Sequence, residues 1–96
     1  MFDLEEPGEF DWDQGNTVKN LIKHNVSCQE SEEVFFDESQ VILDDERHFG
    51  SEKRKLIIGK TNAGILLSVV FTVRNNKIRV ISARMASKKE RKLYEK

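Results

Sequence analysis

Apolar residues recur along this chain with two periods, and the switches between them mark the elements. Residues 1–9 are acidic and broken by Pro7-Gly8, which predicts a loose leader ahead of a single domain over 10–96. Phe10 to Trp12 has the pattern of a short strand. Asp13 is placed to cap a helix running to about His24, in which Val18, Leu21 and Ile22 recur at i, i+3 and i+4 and form one buried stripe. Lys23 and His24 in its last turn complement the helix dipole, and Asn25 suits a left-handed stop. Ser27 with Glu30 makes a capping box for a second, shorter helix ending near Phe36, with Val34 and Phe35 facing inward. Gln40 to Leu43 is strand-like, whereas the polar stretch Asp44 to Glu52, with Gly50, reads as a long loop.

A three-strand meander follows. Arg54 to Lys60 is one strand, Thr61-Asn62-Ala63-Gly64 a turn, and Ile65 to Arg74 a central strand. Asn75-Asn76 is a two-residue hairpin turn, because asparagine tolerates the positive φ angles that turn demands. Lys77 to Ala83 is the third strand, and Ser87 with Glu90 opens a basic C-terminal helix through Tyr94. The fold class is therefore α+β: an antiparallel sheet, made of the C-terminal meander plus short N-terminal strands, with two N-terminal helices and one at the C-terminus.

The hairpin fixes which side chains share a face. With Arg74 and Lys77 flanking the turn, Thr72 lies opposite Arg79, Val70 opposite Ile81 and Ser68 opposite Ala83. The other face, with Val69, Phe71, Val73, Ile78 and Val80, is apolar enough to be core. A three-residue loop over 62–64 would bring Arg54 beside Thr72 and make a row Arg54–Thr72–Arg79. A loop one residue shorter or longer would present Lys55 instead. Two arginines around a threonine suit a phosphate clamp, since the planar guanidinium meets phosphate oxygens two at a time. The same pattern also suits solvated strand arginines paired with carboxylates. Arg84 falls on the core side of a regular strand, so a strand end or bulge is expected near Ser82.

Charge sharpens this picture. Residues 1–52 carry 15 acids against 3 bases, a balance of −12, and residues 53–96 carry 13 bases against 2 acids, a balance of +11. Such asymmetry fits a cationic surface for a polyanion, or two halves that neutralise each other across the fold. A lone cysteine, Cys28, excludes an internal disulfide and fits a reducing compartment. The acidic N-terminus is unlike a signal peptide, and the longest apolar stretch, Ile65 to Val73, is too short to cross a membrane. A cytoplasmic protein is expected.

His48, in the polar stretch before Arg54, is a candidate general acid or base, because its pKa lies near working pH. Lys23, His24, Lys55, Thr72 and Lys77 are weaker candidates for contact with a polyanion. No spacing of His, Cys, Asp and Glu matches a metal site, and no glycine-rich phosphate loop or nucleophile elbow is present, so neither metal nor cofactor is expected.

Three blocks of residues carry a resemblance. Phe10-Asp11-Trp12-Asp13 with Asn20 and Lys23-His24-Asn25-Val26-Ser27 is the first. Asp45 and His48 before Glu52-Lys53-Arg54, with Ile58-Gly59, is the second. Ile78-Arg79-Val80-Ile81-Ser82-Ala83-Arg84, then Ala86-Ser87 and Glu90-Arg91 to Tyr94, is the third. Together they resemble the BrnT-type ribonuclease toxins of bacterial toxin–antitoxin pairs. Each block alone is weak; the three in order and at family-like spacing are specific. Departures occur at Asn16, where the family often has a basic residue, at Asn25, usually glycine, and at Cys28, commonly aromatic.

The resemblance implies a RelE-like fold, ribonuclease activity that inhibits translation, and neutralisation by a BrnA-type ribbon-helix-helix antitoxin in a heterotetramer. Operator DNA would be met only through that antitoxin. It also implies that His48, Arg54, Arg79 and Arg84 are the catalytic set, with Trp12 and Asp13 as anchor and cap. Metal-free cleavage through the RNA 2′-OH needs a base, cations on the phosphate and an acid for the leaving oxygen. Arg54 and Arg79 would clamp, Arg84 would assist, and His48 would carry a proton. Lys23, His24 and Tyr94 remain candidates for the second proton carrier. The rival from another class is a non-catalytic module whose basic face docks a protein or nucleic acid, or an inactive toxin that acts only in operon control.

Overall fold

In a computed structural model, the backbone is described for residues 9–17, 24–49 and 52–96, and the side chains for all of these except 46–49 and 52. Residues 14–17 and His24 are helical. The expected stripe of Val18, Leu21 and Ile22, and Lys23 with it, lies outside the described residues. Helix α1 (Cys28–Glu33) continues into a 3-10 turn, Val34–Phe36. Four strands follow, β1 (Val41–Phe49), β2 (Glu52–Lys60), β3 (Leu66–Arg74) and β4 (Lys77–Met85), and helix α2 (Lys88–Tyr94) closes the chain.

The local signals act as expected. Ser27 accepts from the Glu30 N–H and Glu30 returns to the Ser27 N–H, and Ser87 and Glu90 do the same for α2. Asn25, Asn75 and Asn76 take φ of 56°, 51° and 64°. The expected strand at Phe10 is reduced to one parallel bridge to Ile78, on the outer edge of β4.

The sheet is a four-stranded antiparallel meander in the order β1-β2-β3-β4. It corrects the expected loop over 44–52, because β1 runs on through Asp44, Asp45 and His48 to Phe49. The acids look loop-like taken alone, but each meets a cation across the strand, Asp44 opposite Lys55 and Asp45 opposite Arg54. Opposite charges in such pairs support a ladder that local propensity would not.

Ile57, Leu67, Val69, Phe71, Ile78, Val80 and Ala83 form the sheet's share of the core, packed with Val26, Val34 and Phe35. Phe10, Phe35 and Phe71 stack edge to face, with centroids 5.4 and 5.0 Å apart. Burying an aliphatic or aromatic side chain of this kind stabilises by about 1.5–3 kcal/mol. The turn Val34–Phe36 presses directly on β2: a Cβ at Gly59 would sit 2.9 Å from the Val34 carbonyl oxygen. Gly59→Ala should therefore cost about 1–3 kcal/mol through overpacking, seen as a lower urea midpoint with unchanged m.

The opposite face was expected to be the polar one, lined by cations. Instead Ile58, Leu66, Ser68 and Val70 are buried there. Helix α2 lies over that end of the face, with Glu90 on Arg84, and with the Tyr94 ring under the Lys60 ammonium at 5.6 Å. Among the described residues, the end nearest the Asn75-Asn76 turn carries an open cleft.

Candidate active site

At that open end, register brings the arginines together. Thr72 is opposite Arg79, as the hairpin pattern predicts. On the other side Lys55 is opposite Phe71, so the next residue out, Arg54, falls opposite Thr72. The loop over 62–64 is thus the three-residue alternative, closed by a 2.9 Å bond from the Thr61 N–H to the Ile65 carbonyl. Thr72 is buried, and its hydroxyl donates to the Lys53 carbonyl at 2.7 Å. Arg54, Arg74 and Arg79 line one open cleft of about 300 Å³, together with Gly15, Asn16, Val80 and Ile81. Arg74 escaped notice in the sequence as a mere turn flank. Its shared parity with Thr72 was the available signal.

Arg79 is held in place by acids. Its Nη1 lies 3.0 Å from Asp13 and 3.5 Å from Asp11, Nη2 donates to Asp13 at 3.2 Å, and its side chain is only 15% exposed. The Asp13 bond raises the Arg79 pKa further above its ordinary value, and the guanidinium in turn lowers that of Asp13, helped by the Asn16 N–H. Asn16 ties the rest. It is buried, its side-chain amide donates to the Asp11 and Val80 carbonyls at 3.0 Å each, and its Oδ1 accepts the Asp13 N–H at 2.8 Å. Asn16 is therefore a structural lock on the outer edge of β4. Trp12 anchors the same segment through a 2.7 Å bond to Glu32.

The expected bulge is present but one residue early. Pairing shifts between Phe71–Val80 and Val70–Ser82, which leaves Ile81 extra, so Val70 faces Ser82 rather than Ile81, and Ser68 faces Arg84 rather than Ala83. Ala83 takes the core position, and Arg84 moves to the face it could not share in a regular strand. It meets Glu90 there with two bonds of 2.7 and 2.8 Å. Ser68 and Thr72 are four residues apart on one strand, roughly 13 Å. The structure does not bring Arg84 together with Arg54 and Arg79.

The other expected residues scatter. His48 lies in β1, not a loop, between Asp45 opposite Arg54 and Phe49 opposite Glu52; its side chain is outside the described set. Lys55 is on the core-side parity and pairs with Asp44 at 2.6 Å. Lys77 pairs with Glu9 at 3.4 Å. His24 is half-buried and is not among the cleft's lining residues. Tyr94 donates to Asp37 at 2.7 Å, and burial followed by that carboxylate raises its pKa. It stands beside Lys60, at the far end of the sheet from the cleft. The acidic and basic halves of the chain thus meet one another repeatedly.

The Arg84–Glu90 pair has a pH signature. The Arg84 guanidinium, with the Ser87 N–H, pulls the Glu90 carboxyl from an ordinary 4.5 down to about 2. A carboxyl lowered by folding stabilises the fold above its ordinary pKa and loses that contribution as pH falls through the folded one. The melting temperature should therefore drop between pH 4.5 and about 2, and Glu90→Gln should flatten that part of the profile.

Among the described residues no three His, Cys, Asp or Glu side chains are grouped as a metal site. No helix among them is long and apolar enough to cross a membrane. A comparison with curated proteins finds no match. The family model for the ribonuclease toxin BrnT of type II toxin–antitoxin systems matches residues 12–90, which takes in Asp13, the whole sheet and the start of α2. The chain belongs to the BrnT family of ribonuclease toxins, whose type II systems pair each toxin with an antitoxin.

Proposed function

We propose that this chain is a RelE-like endoribonuclease toxin that cuts RNA through the substrate's own 2′-OH, without a metal, in the cytoplasm. The observation that carries this is the convergence of Arg54 and Arg79 on one open cleft, in a chain of the BrnT family. In the reaction the 2′-oxygen bonds to phosphorus and the bond from phosphorus to the 5′-oxygen breaks, leaving a 2′,3′-cyclic phosphate. The 2′-OH gives its proton to a base, and the departing 5′-oxygen takes one from an acid.

Arg54 and Arg79 stabilise the added negative charge on phosphorus, where fixed donors in a partly dry site act most strongly. Asp11 and Asp13 position Arg79 for that task. His48 carries one of the two protons, since its strand position lies on the stretch of β1 that borders Arg54. Arg84 acts at a distance by fixing α2 through Glu90. A BrnA-type ribbon-helix-helix antitoxin, in a heterotetramer, covers the cleft and alone touches operator DNA.

Expression of the chain alone should arrest growth, and coexpression with a neighbouring ribbon-helix-helix gene should relieve it. Purified protein should cut RNA in excess EDTA and leave cyclic or 3′-phosphate ends. Free 3′-hydroxyl ends, or loss of cutting in EDTA, would refute the metal-free route. RNA binding without any cleavage would favour the docking-module reading.

A further inference from the structure

Three arginines line the cleft, but they are built differently. Arg79 has a side chain only 15% exposed and is gripped by Asp11 and Asp13, which fixes its guanidinium in space. Arg74 is exposed at the rim, next to the left-handed Asn75-Asn76 turn. Arg74 and Thr72 share a face two residues apart on β3, about 7 Å along the strand. Arg74 therefore stands one step outward from the Arg54–Thr72–Arg79 row, toward solvent.

We propose that Arg74 binds the phosphate next to the one held between Arg54 and Arg79, so that the cleft takes two successive phosphates of a single RNA strand. The inner phosphate is the reacting one; the outer is bound but not cut. This rests on the ribonuclease reading for the identity of the inner site. The division of labour follows from position. Thr72 is buried and the Arg79 side chain only 15% exposed, so their row offers covered donors that stabilise charge on a reacting phosphate, whereas the exposed Arg74 one row outward adds affinity for a phosphate at the rim. Arg74 thus sets how tightly RNA is held and which way it enters, from the turn side of the hairpin.

The test uses a fluorescein-labelled, single-stranded 2′-O-methyl oligonucleotide, which offers no 2′-OH, and reads anisotropy at several salt concentrations. Arg74→Ala should weaken binding about tenfold and make the salt slope shallower by about 0.7, the share of one phosphate on a single strand. Arg74→Lys should restore most of both. With cleavable RNA, Arg74→Ala should raise the half-saturating concentration by the same roughly tenfold factor as the dissociation constant, and should lower the saturated single-turnover rate far less than Arg79→Ala does. Arg74→Gln provides a second neutral variant, and circular dichroism checks that each is folded. Unchanged affinity and salt slope in both neutral variants would overturn the inference. So would a fall in the saturated rate like that of Arg79→Ala, since Arg74 would then act on the reacting phosphate. If the unaltered protein binds the oligonucleotide through Arg74 yet cuts no RNA, the ribonuclease reading fails and Arg74 remains a phosphate contact.

Discussion

An RNA with one 2′-deoxy nucleotide at the scissile position should survive intact at that bond and be cut normally elsewhere. Arginines on phosphate can stabilise charge but cannot attack, so the nucleophile must be the ribose or water. If it is the ribose, removing one oxygen removes the reaction. The loss should exceed the roughly 10²–10⁴-fold that a general acid or base contributes, because the attacking atom itself is gone. Binding of the same oligonucleotide should barely change, since the phosphates that Arg54 and Arg79 face are untouched. Cutting at the deoxy position at a comparable rate would mean attack by water, and the roles given to His48, Arg54 and Arg79 would fall together.

Arg79→Ala should lower the cleavage rate about a hundredfold or more, which corresponds to nearly 3 kcal/mol of transition-state stabilisation from one well-placed donor, and should end growth arrest. The variant also strips Asp11 and Asp13 of their shared cation. Part of any loss could then come from a loosened segment before the first helical turn. Arg79→Lys separates the two effects. It keeps a charge for the carboxylates but gives up the planar fork, so folding should persist while the rate stays low. Asp13→Asn should act in between, since Asp11 and the Asn16 lock remain. A lysine variant as fast as the original protein, or an alanine variant as toxic at equal abundance, would remove Arg79 from the chemistry.

Features settled between near neighbours were legible in the residues alone. Ser27 with Glu30, Ser87 with Glu90, the left-handed Asn25 and the Asn75-Asn76 turn all rest on bonds or φ angles within a few residues. The turn also set the Thr72–Arg79 pairing, because a two-residue loop leaves one register. Inward-facing Val34 and Phe35 followed from apolar spacing in the same way.

Features that depend on partners far along the chain came from the fold. The acids of β1 looked like a loop until Lys55 and Arg54 were placed across from them. The bulge at Ile81 was foreseen from the awkward parity of Arg84, but its position, and the capture of Arg84 by Glu90, depended on how α2 folds back. Arg54 rather than Lys55 entered the cleft because of a single residue in the length of one loop. Arg79 received its carboxylate partners from a segment more than sixty residues earlier, docked on the edge of β4. Local geometry is encoded by adjacent residues. The environment of a charge is encoded by whatever the fold brings beside it, and a strand pattern records only which way each side chain points.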